Sequence, residues 1–391
     1  MYRTNRRMFV GCALSAAAAI ANPAKKYRVA VIGHTGHGNY GHGIDTVWSA
    51  FEQMEVVAVA DPDADGRAAA IQRSHAKRSY ADYREMLRVE KPDLVGIGPR
   101  WLDQRVAMVT AAADAGAHIY TEKPFAATPA EADRIVEAVR KNKVKLQVAH
   151  QMRTAPYTLR AKAMVDAGEI GPIQEVRVRG KEDRRAGGED MMVLGSHLFD
   201  MMRYFLGNPK WVVSHVTTNG EEMTAKHVRT PSEPIGPVVG NQISAMFAFD
   251  GGVHGYFASR ATDQTDPLRF GTWLYGSKGV LFLPNAIYPD GGLWVLRSPA
   301  WLPDERNQWE RIDVKPEITS LGITNEREIA NALMVADLVR AIEHNIKPCC
   351  NEEDGRWTIE MIHSVYQAQK SGDRVNFPLR SRDHPLETLG V

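Results

Sequence analysis

Little in this sequence can form a covalent or metallic scaffold. Its 391 residues include three cysteines, Cys12, Cys349 and Cys350. The last two are adjacent, where a disulfide would be strained, so neither a disulfide framework nor a C-x-x-C metal site can be assembled. They read instead as small packing residues after a helix. Charge of one sign is also missing, because 48 Lys and Arg face 47 Asp and Glu for a net +1. That excludes the global basic field with which a protein holds nucleic acid or an anionic membrane surface. Long hydrophobic runs are absent too; the Ala-rich stretch near the N-terminus is too short to span a bilayer. What remains, at 44% hydrophobic and 24% charged, is an ordinary globular composition on a chain too long for one core.

The first 21 residues contain no acid. Arg3, Arg6 and Arg7 precede Met8-Phe9-Val10 and an apolar run that ends in Ala19-Ile20-Ala21. That is the order of a cleavable signal, with a basic region, a short apolar region and an A-x-A site. Asn5-Arg6-Arg7-Met8-Phe9-Val10 is similar to the twin-arginine export motif, with Asn5 where Ser or Thr is usual. The expectation is export in folded form by the twin-arginine machinery to the periplasm or beyond. An uncleaved N-terminal arm is the alternative.

From Tyr27 short β-branched runs alternate with helical stretches. Arg28–Ile32, Glu55–Ala60, Leu94–Ile97, His118–Tyr120 and Val144–Ala149 read as strands. Helices are predicted over Gly43–Gln53, Tyr80–Val89, Gln104–Ala115 and Pro129–Lys141. This grammar specifies βαβ units and a doubly wound parallel sheet. After about residue 150 strand signals dominate, several joined by tight-turn residues such as Asp250-Gly251-Gly252, Ser277-Lys278-Gly279 and Asp290-Gly291-Gly292. The boundary near His150 therefore separates an α/β domain, 27–150, from an α+β domain, 151–391, with a largely antiparallel sheet. Helices are expected in the second at Tyr157–Ala167, Asp190–Leu206, Glu326–His344 and Arg356–Lys370, the terminal ones free to pack back on the first domain.

Between the first strand and its expected helix lies Gly33-His34-Thr35-Gly36-His37-Gly38-Asn39-Tyr40-Gly41-His42-Gly43. Gly36, Gly38 and Gly41 make G-x-G-x-x-G, with Gly33 leaving the register ambiguous. Such a turn lets backbone amides approach a pyrophosphate at a positive helix end. Asp61 ends the second strand 20 residues after Gly41. An acid there accepts hydrogen bonds from the adenosine ribose and repels a 2′-phosphate, favouring NAD over NADP. His34, His37 and His42 crowd the loop, but glycine-rich loops supply no shared ligand face, so no metal is expected. Lys123, in Thr121-Glu122-Lys123-Pro124, stands at a strand's C-terminal edge, where open α/β sheets bind ligands.

The glycine turn, the acid at 61, Glu122-Lys123-Pro124 and Gly195-Ser196-His197-Leu198-Phe199-Asp200 together resemble the Gfo/Idh/MocA oxidoreductases. Gly168-Glu169-Ile170-Gly171 and the Gly355–Val375 segment support the resemblance, which extends from Tyr27 to Pro385. It implies a Rossmann domain, followed by a C-terminal domain with an open sheet that often mediates homo-oligomers. The activity implied is hydride transfer between nicotinamide and a carbon of a sugar-like small molecule. Lys123 and His197 would flank the reacting hydroxyl, and imidazole is suited to proton transfer near neutral pH. Asp200, one turn on, would orient His197 or contact the sugar. Glu122, Pro99, Arg100 and Trp101 would lie near the cofactor, and Gln151 or Arg153 would line the active site, although Arg153 could equally bridge the domains.

Two departures stand out. Many relatives carry an aspartate four residues before the histidine, and here that place is Val193. Asp190 could substitute if the helix extends that far, or Glu189 and Asp190 could simply be favourable charges in a first helical turn. Asp103 stands where relatives often have histidine. Lys181-Glu182-Asp183-Arg184-Arg185 reads as a solvated loop. Export favours a cofactor held tightly and regenerated by a second substrate. The competing functions are an NAD-dependent glycoside hydrolase acting by transient C3 oxidation and a sugar-binding relative that has lost activity.

Overall fold

The computed structural model describes residues 25–262, 269–284, 292–314 and 325–389. The expected signal, Cys12 and the Asp290-Gly291 half of one expected turn lie outside the described residues. The chain divides into two compact units. The first holds the described residues of 1–125, 131–154 and 316–355; the second holds 126–130, 155–315 and 356–391.

The first unit carries six parallel strands: β1 (Tyr27–Ile32), β2 (Met54–Ala60), β3 (Arg78–Tyr80), β4 (Leu94–Ile97), β5 (His118–Thr121) and β6 (Leu146–Val148). Their spatial order is β3-β2-β1-β4-β5-β6. This is the doubly wound order whose switch point, between β1 and β4, opens a crevice at the strands' C-terminal ends. Val29, Ala30 and Val31 are buried on both faces, which is why β1 reads as an unbroken apolar run. Helices α1 (Ala64–Ser74), α2 (Tyr83–Glu90), α3 (Arg105–Asp114) and α4 (Pro129–Asn142) alternate with the strands. Asp63 and Asp82 cap α1 and α2 by accepting from the amides of Gly66 and Arg84.

One expected helix is absent. Gly43–Gln53 folds as turns and a short 3-10 segment, Val47–Ala50. Gly41 and Gly43 take φ of +65° and +86°, outside the helical region, and buried Trp48 donates its indole N–H to the Ile44 carbonyl. No α-helix therefore begins directly after the glycine loop.

The second unit is built on a ten-stranded sheet, led by β7 (Ile173–Arg179), β8 (Trp211–Thr218) and the two-residue β9 (Glu221–Glu222). Then follow β10 (Gln242–Ala248), β11 (His254–Arg260), β12 (Gly271–Gly276), β13 (Gly279–Pro284), β14 (Leu293–Leu296), β15 (Glu310–Ile312) and β16 (Val375–Asn376). The main path is β15-β14-β13-β12-β7-β11-β10-β8-β16. Only the β7–β11 pair among these neighbours is parallel. The register aligns Val213, Met246, Tyr256, Arg177, Trp273, Phe282 and Trp294 in one row across seven strands. All are exposed or half-buried, and Trp273 stacks on Phe282 at 4.2 Å.

Helix α5 (Pro156–Asp166) precedes β7. The expected helix from Asp190 is two helices, α6 (Gly188–Val193) and α7 (Gly195–Leu206), broken at Leu194. Helix α8 (Glu326–Glu343) belongs to the first unit, where it packs on β6 and the 47–50 turn. Helix α9 (Glu352–Ser371) ends the helical series.

In the second unit His363 of α9 and His384 of the C-terminal tail are buried with rings 4.7 Å apart. Burial pushes His363 down to about 4. Burial, with His363 as a like neighbour, pushes His384 down to about 3. An unfolded imidazole binds its proton near 6.5, so below that pH the unfolded chain binds more protons and stability is lost as pH falls toward 4. The drop in thermal midpoint from pH 7 to pH 4.5 is expected to shrink in the His363→Gln, His384→Gln variant. An unchanged drop would show that the pair is not the acid-labile element.

Candidate functional site

The loop after β1 folds as a small hairpin, with the His34 and Asn39 amides and carbonyls paired at 3.2 and 2.8 Å. Its exposed tip, Gly36, has open space around it. Two of the glycines are required by close approach. A Cβ on Gly38 would sit 2.7 Å from the amide nitrogens of Arg100 and Trp101, and one on Gly41 would sit 2.3 Å from Glu122 Cγ. Gly33 has a different task, because a Cβ there would meet the Tyr40 ring at 2.1 Å. Across the crevice Arg100 N–H donates to the Gly38 carbonyl, 3.1 Å. His37 pairs with Asp103 at 2.7 Å and packs edge-on against Trp101 at 4.1 Å. Asp103 thus serves the loop, and its partner histidine lies within the loop itself.

Asp61 is 0% exposed. Its carboxylate accepts from Thr35 N–H (2.9 Å), the Thr35 hydroxyl (2.7 Å) and Asp63 N–H (2.9 Å). The acid predicted to face a ribose is therefore also the anchor of the glycine loop, and Thr35 is a partner that motif spacing did not reveal. Beside it a cleft of about 210 Å³ is lined by Gly33, His34, Asp61, Pro62, Tyr83 and Arg84, among others.

Glu122 is the buried acid of the Glu122-Lys123-Pro124 turn. Its Oε1 accepts from the His42 amide (2.8 Å) and pairs with His42 Nδ1 (2.5 Å), while Oε2 accepts from the Lys123 amide (2.7 Å). Burial alone would raise its pKa. The charge and hydrogen bond of His42, with Lys123, overcome that and hold it at about 2. Lys123 itself is 4% exposed.

Two residues that sequence reasoning missed hold this arrangement. Arg105, buried in α3, donates to the Thr121 hydroxyl (2.7 Å), the Glu122 carbonyl and the Pro99 carbonyl (2.5 Å). Burial depresses its guanidinium to about 10, against the pull of Glu122. It ties the end of β5 to the loop after β4. Asn331 of α8 donates to the His42 carbonyl (2.7 Å) and accepts from Tyr120 (2.6 Å) and Gln151 (3.0 Å). A lone Arg in an apolar helix start was the available signal for the first. Nothing local marks Asn331, which acts 289 residues from His42.

Gln151 and Arg153 are tied within the first unit. Arg153 donates to the Cys349 carbonyl and pairs with Asp354 at 3.2 Å, with its side chain 7% exposed. These bonds assign both side chains to bracing the strand end, a role the resemblance did not suggest. Cys349 and Cys350 lie in the same brace: the Cys350 amide donates to Gln147, and both cysteines are free thiols.

In the second unit His197 and Asp200 lie one turn apart near the start of α7, at 4% and 0% exposure. Phe199 fixes the helix on the sheet through Phe257 (4.8 Å) and Phe247 (5.5 Å). The break at Leu194 places Asp190 and His197 on different helices. Asp190 lies in the first turn of α6, and Oδ2 accepts from Ser259 (2.6 Å) and the Glu182 amide (3.1 Å). Burial raises its pKa. Asp190 anchors the 180–187 loop, and Glu189 accepts from Arg229 (3.1 Å) and the Ser232 amide (3.0 Å). The 181–185 stretch is a correction as well. Glu182 is 2% exposed and meets Arg179 and Arg269 at 2.9 and 3.2 Å, and Asp183 pairs with Arg185 at 2.7 Å, so the run is largely an ion-pair network, beside which Arg184 is exposed.

Comparison with known proteins gives the same assignment as these features. Residues 27–150 match the family described as "Oxidoreductase family, NAD-binding Rossmann fold". Residues 158–282 match the C-terminal domain of the same family, so its two models cover well over half of the chain.

The chain belongs to the Gfo/Idh/MocA oxidoreductase family.

Among its relatives is a dehydrogenase, aclE, of Aspergillus oryzae, 26% identical over 214 residues, which are 49% of this chain and 58% of the relative. Another is levoglucosan dehydrogenase of Pseudarthrobacter phenanthrenivorans, 28% identical over 233 residues, 53% of this chain and 58% of the relative. The chain thus spans less than two thirds of the length of each. A solved levoglucosan dehydrogenase with NADH and L-sorbose shares the fold, with a TM-score of 0.74 and 20% identity, over 91% of this chain and 100% of that one.

The first unit is the family's NAD-binding domain, and its residues fit that group. The exposed tip at Gly36 leaves room for a ligand's close approach, its own amide being held by Asn39 Oδ1 at 2.9 Å, while Asp61 closes the cleft at the end of β2 and its carboxylate disfavours a 2′-phosphate. Lys123 follows the C-terminal end of β5, the end of the strands at which open α/β sheets bind ligands. Arg105→Leu leaves three oxygen acceptors without their donor and is expected to cost about 3 kcal/mol of stability, with NADH affinity down at least about tenfold. Thermal unfolding and NADH fluorescence titration check both; a variant within about 0.5 kcal/mol of wild type would contradict the role given to Arg105.

Proposed function

We propose that the chain is a dehydrogenase that moves hydride between NAD and the hydroxyl-bearing carbon of a sugar or polyol. The carrying observation is the Glu122-Lys123 turn, where a buried carboxylate held by His42 fixes the lysine's backbone amide and Arg105 holds the Glu122 carbonyl at the end of β5. Bound NAD supplies the hydride acceptor. Hydride leaves carbon only as the hydroxyl proton is withdrawn, and Lys123 is the group assigned to take it. His197 is assigned the second acid–base role, and Asp200, one turn further along α7, the role of orienting it or binding the sugar. The named sugar dehydrogenase among the relatives supports a carbohydrate-like substrate.

The same proposal includes folded export by the twin-arginine route, motivated by Asn5-Arg6-Arg7-Met8-Phe9-Val10, and a cofactor retained through it. Free NAD is scarce outside the cytoplasm, so an exported enzyme benefits from carrying its own. It also includes self-association through the row of half-buried aromatics on the ten-stranded sheet, a contiguous surface of the kind that interfaces cover. Light scattering on the purified chain, with a monomer as the contrary result, addresses that part.

The decisive test offers a panel of sugars and polyols deuterated at single hydroxyl carbons and follows the label into the nicotinamide by mass spectrometry. Transfer from one position is expected, with a loss of at least about 1,000-fold for Lys123→Met and for His197→Ala. Glycoside cleavage without net label transfer would favour the hydrolase; binding without either would mean an inactive relative. Separately, periplasmic protein from the native host should carry NAD, and Arg6→Lys with Arg7→Lys should leave it in the cytoplasm. Export of that variant at wild-type level would remove the twin-arginine assignment.

A further inference from the structure

The acid at the end of β2 is the group that a Rossmann site turns toward the adenosine ribose. Here Asp61 is 0% exposed, and both of its oxygens are already served from within. Oδ1 accepts from the Asp63 amide (2.9 Å) and the Thr35 amide (3.1 Å). Oδ2 accepts from the Thr35 amide (2.9 Å) and the Thr35 hydroxyl (2.7 Å). Thr35, which covers it, is exposed. Gly66 in the first turn of α1 makes this packing possible, because a Cβ there would run into the Thr35 hydroxyl and stand 2.9 Å from Asp61 Oδ2.

The direction of the Thr35–Asp61 hydrogen bond decides what Thr35 can offer a ligand. A carboxylate has no hydrogen to give, so the hydroxyl hydrogen of Thr35 is committed inward. Toward solvent its Oγ1 presents lone pairs only, strengthened as acceptors by the anion behind them.

We propose that Thr35 is the residue that reads the adenosine 2′-hydroxyl of the cofactor, with Asp61 acting through it as a positioning residue. Oγ1 accepts the hydrogen of a 2′-hydroxyl. A 2′-phosphate brings acceptor oxygens and negative charge, and meets lone pairs with a carboxylate behind them. For Asp61 to take the hydroxyl itself, it would have to release Thr35 or the Asp63 amide. Beside Thr35, Gly36 has open space around it, which leaves room for the ligand. The nearby arginines are engaged elsewhere. Arg67 donates to the Asp61 and Pro62 carbonyls at 2.6 and 3.0 Å, and Arg84 lies over the Tyr83 ring at 4.4 Å and 3.7 Å from Asp82. The inference rests on NAD binding by the first unit and makes no use of Lys123 or of the substrate.

The test is equilibrium binding by the purified full-length chain, followed by nicotinamide fluorescence, with three probes: NADH, its adenosine 2′-deoxy analogue and NADPH. Wild type is expected to bind the deoxy analogue about tenfold more weakly than NADH. Thr35→Val keeps the side-chain shape and the amide that holds Asp61, and should bind NADH and the deoxy analogue equally, with NADPH no weaker than in wild type. Thr35→Ala should repeat that result, and Thr35→Ser, which keeps the hydroxyl, should restore the tenfold difference. A difference that persists undiminished in Thr35→Val and Thr35→Ala would assign the hydroxyl to another group and overturn the proposal. Equal losses for all three probes would overturn it too, because they would mark Thr35 as a prop for the loop. Failure of the dehydrogenase reading would appear separately, as absent label transfer from substrate with this binding pattern intact.

Discussion

A carboxylate with no access to water must find its donors inside the protein, and Glu122 finds them in separate stretches of chain. His42 comes from the loop after β1 and the Lys123 amide from its own turn, while Arg105 grips the Glu122 carbonyl from α3. The requirement fixes the spacing of the glycine loop, because Gly41 must pass within van der Waals reach of Glu122 Cγ. It also fixes where Lys123 leaves the sheet. Asn331 then holds the far side of His42 from a helix near the other end of the chain. The first unit thus includes the described residues 325–355, and removing them would take away part of the cofactor loop's support.

Much of this was legible in the sequence. Apolar β-branched runs at regular spacing specified the parallel sheet, since strands covered on both faces leave no polar alternation to confuse. Tight-turn residues at 250–252 and 277–279 marked the hairpins of the second sheet, and the structure places β10 and β11, and β12 and β13, on either side of them. The family resemblance rested on the glycine turn, Asp61, Glu122-Lys123-Pro124 and the 195–200 segment together, and proved sufficient.

What stayed hidden has specific physical causes. The helix expected after the glycine loop fails because two glycines with positive φ and the indole of Trp48 satisfy the backbone in another way. The break at Leu194 is invisible to periodicity, because every residue from Gly188 to Val193 is buried. With the helix broken, Asp190 Oδ2 accepts from Ser259 and the Glu182 amide. Charged runs mislead in the same way. Glu182 among cations looks solvated in one dimension and lies buried between arginines in three.

The glycine loop likewise shows why a motif is weaker than its context. Gly33 makes room for Tyr40, Gly38 for the backbone at Arg100, and Gly41 for Glu122, so each glycine answers to the protein before it answers to a cofactor. The central claim is that this self-braced loop is a working dinucleotide site. Native mass spectrometry of the purified full-length chain tests it most directly. The account predicts one NAD(H) per chain, retained or readily reloaded, and none in Gly38→Val. A chain that takes up no dinucleotide even at millimolar NADH would contradict it.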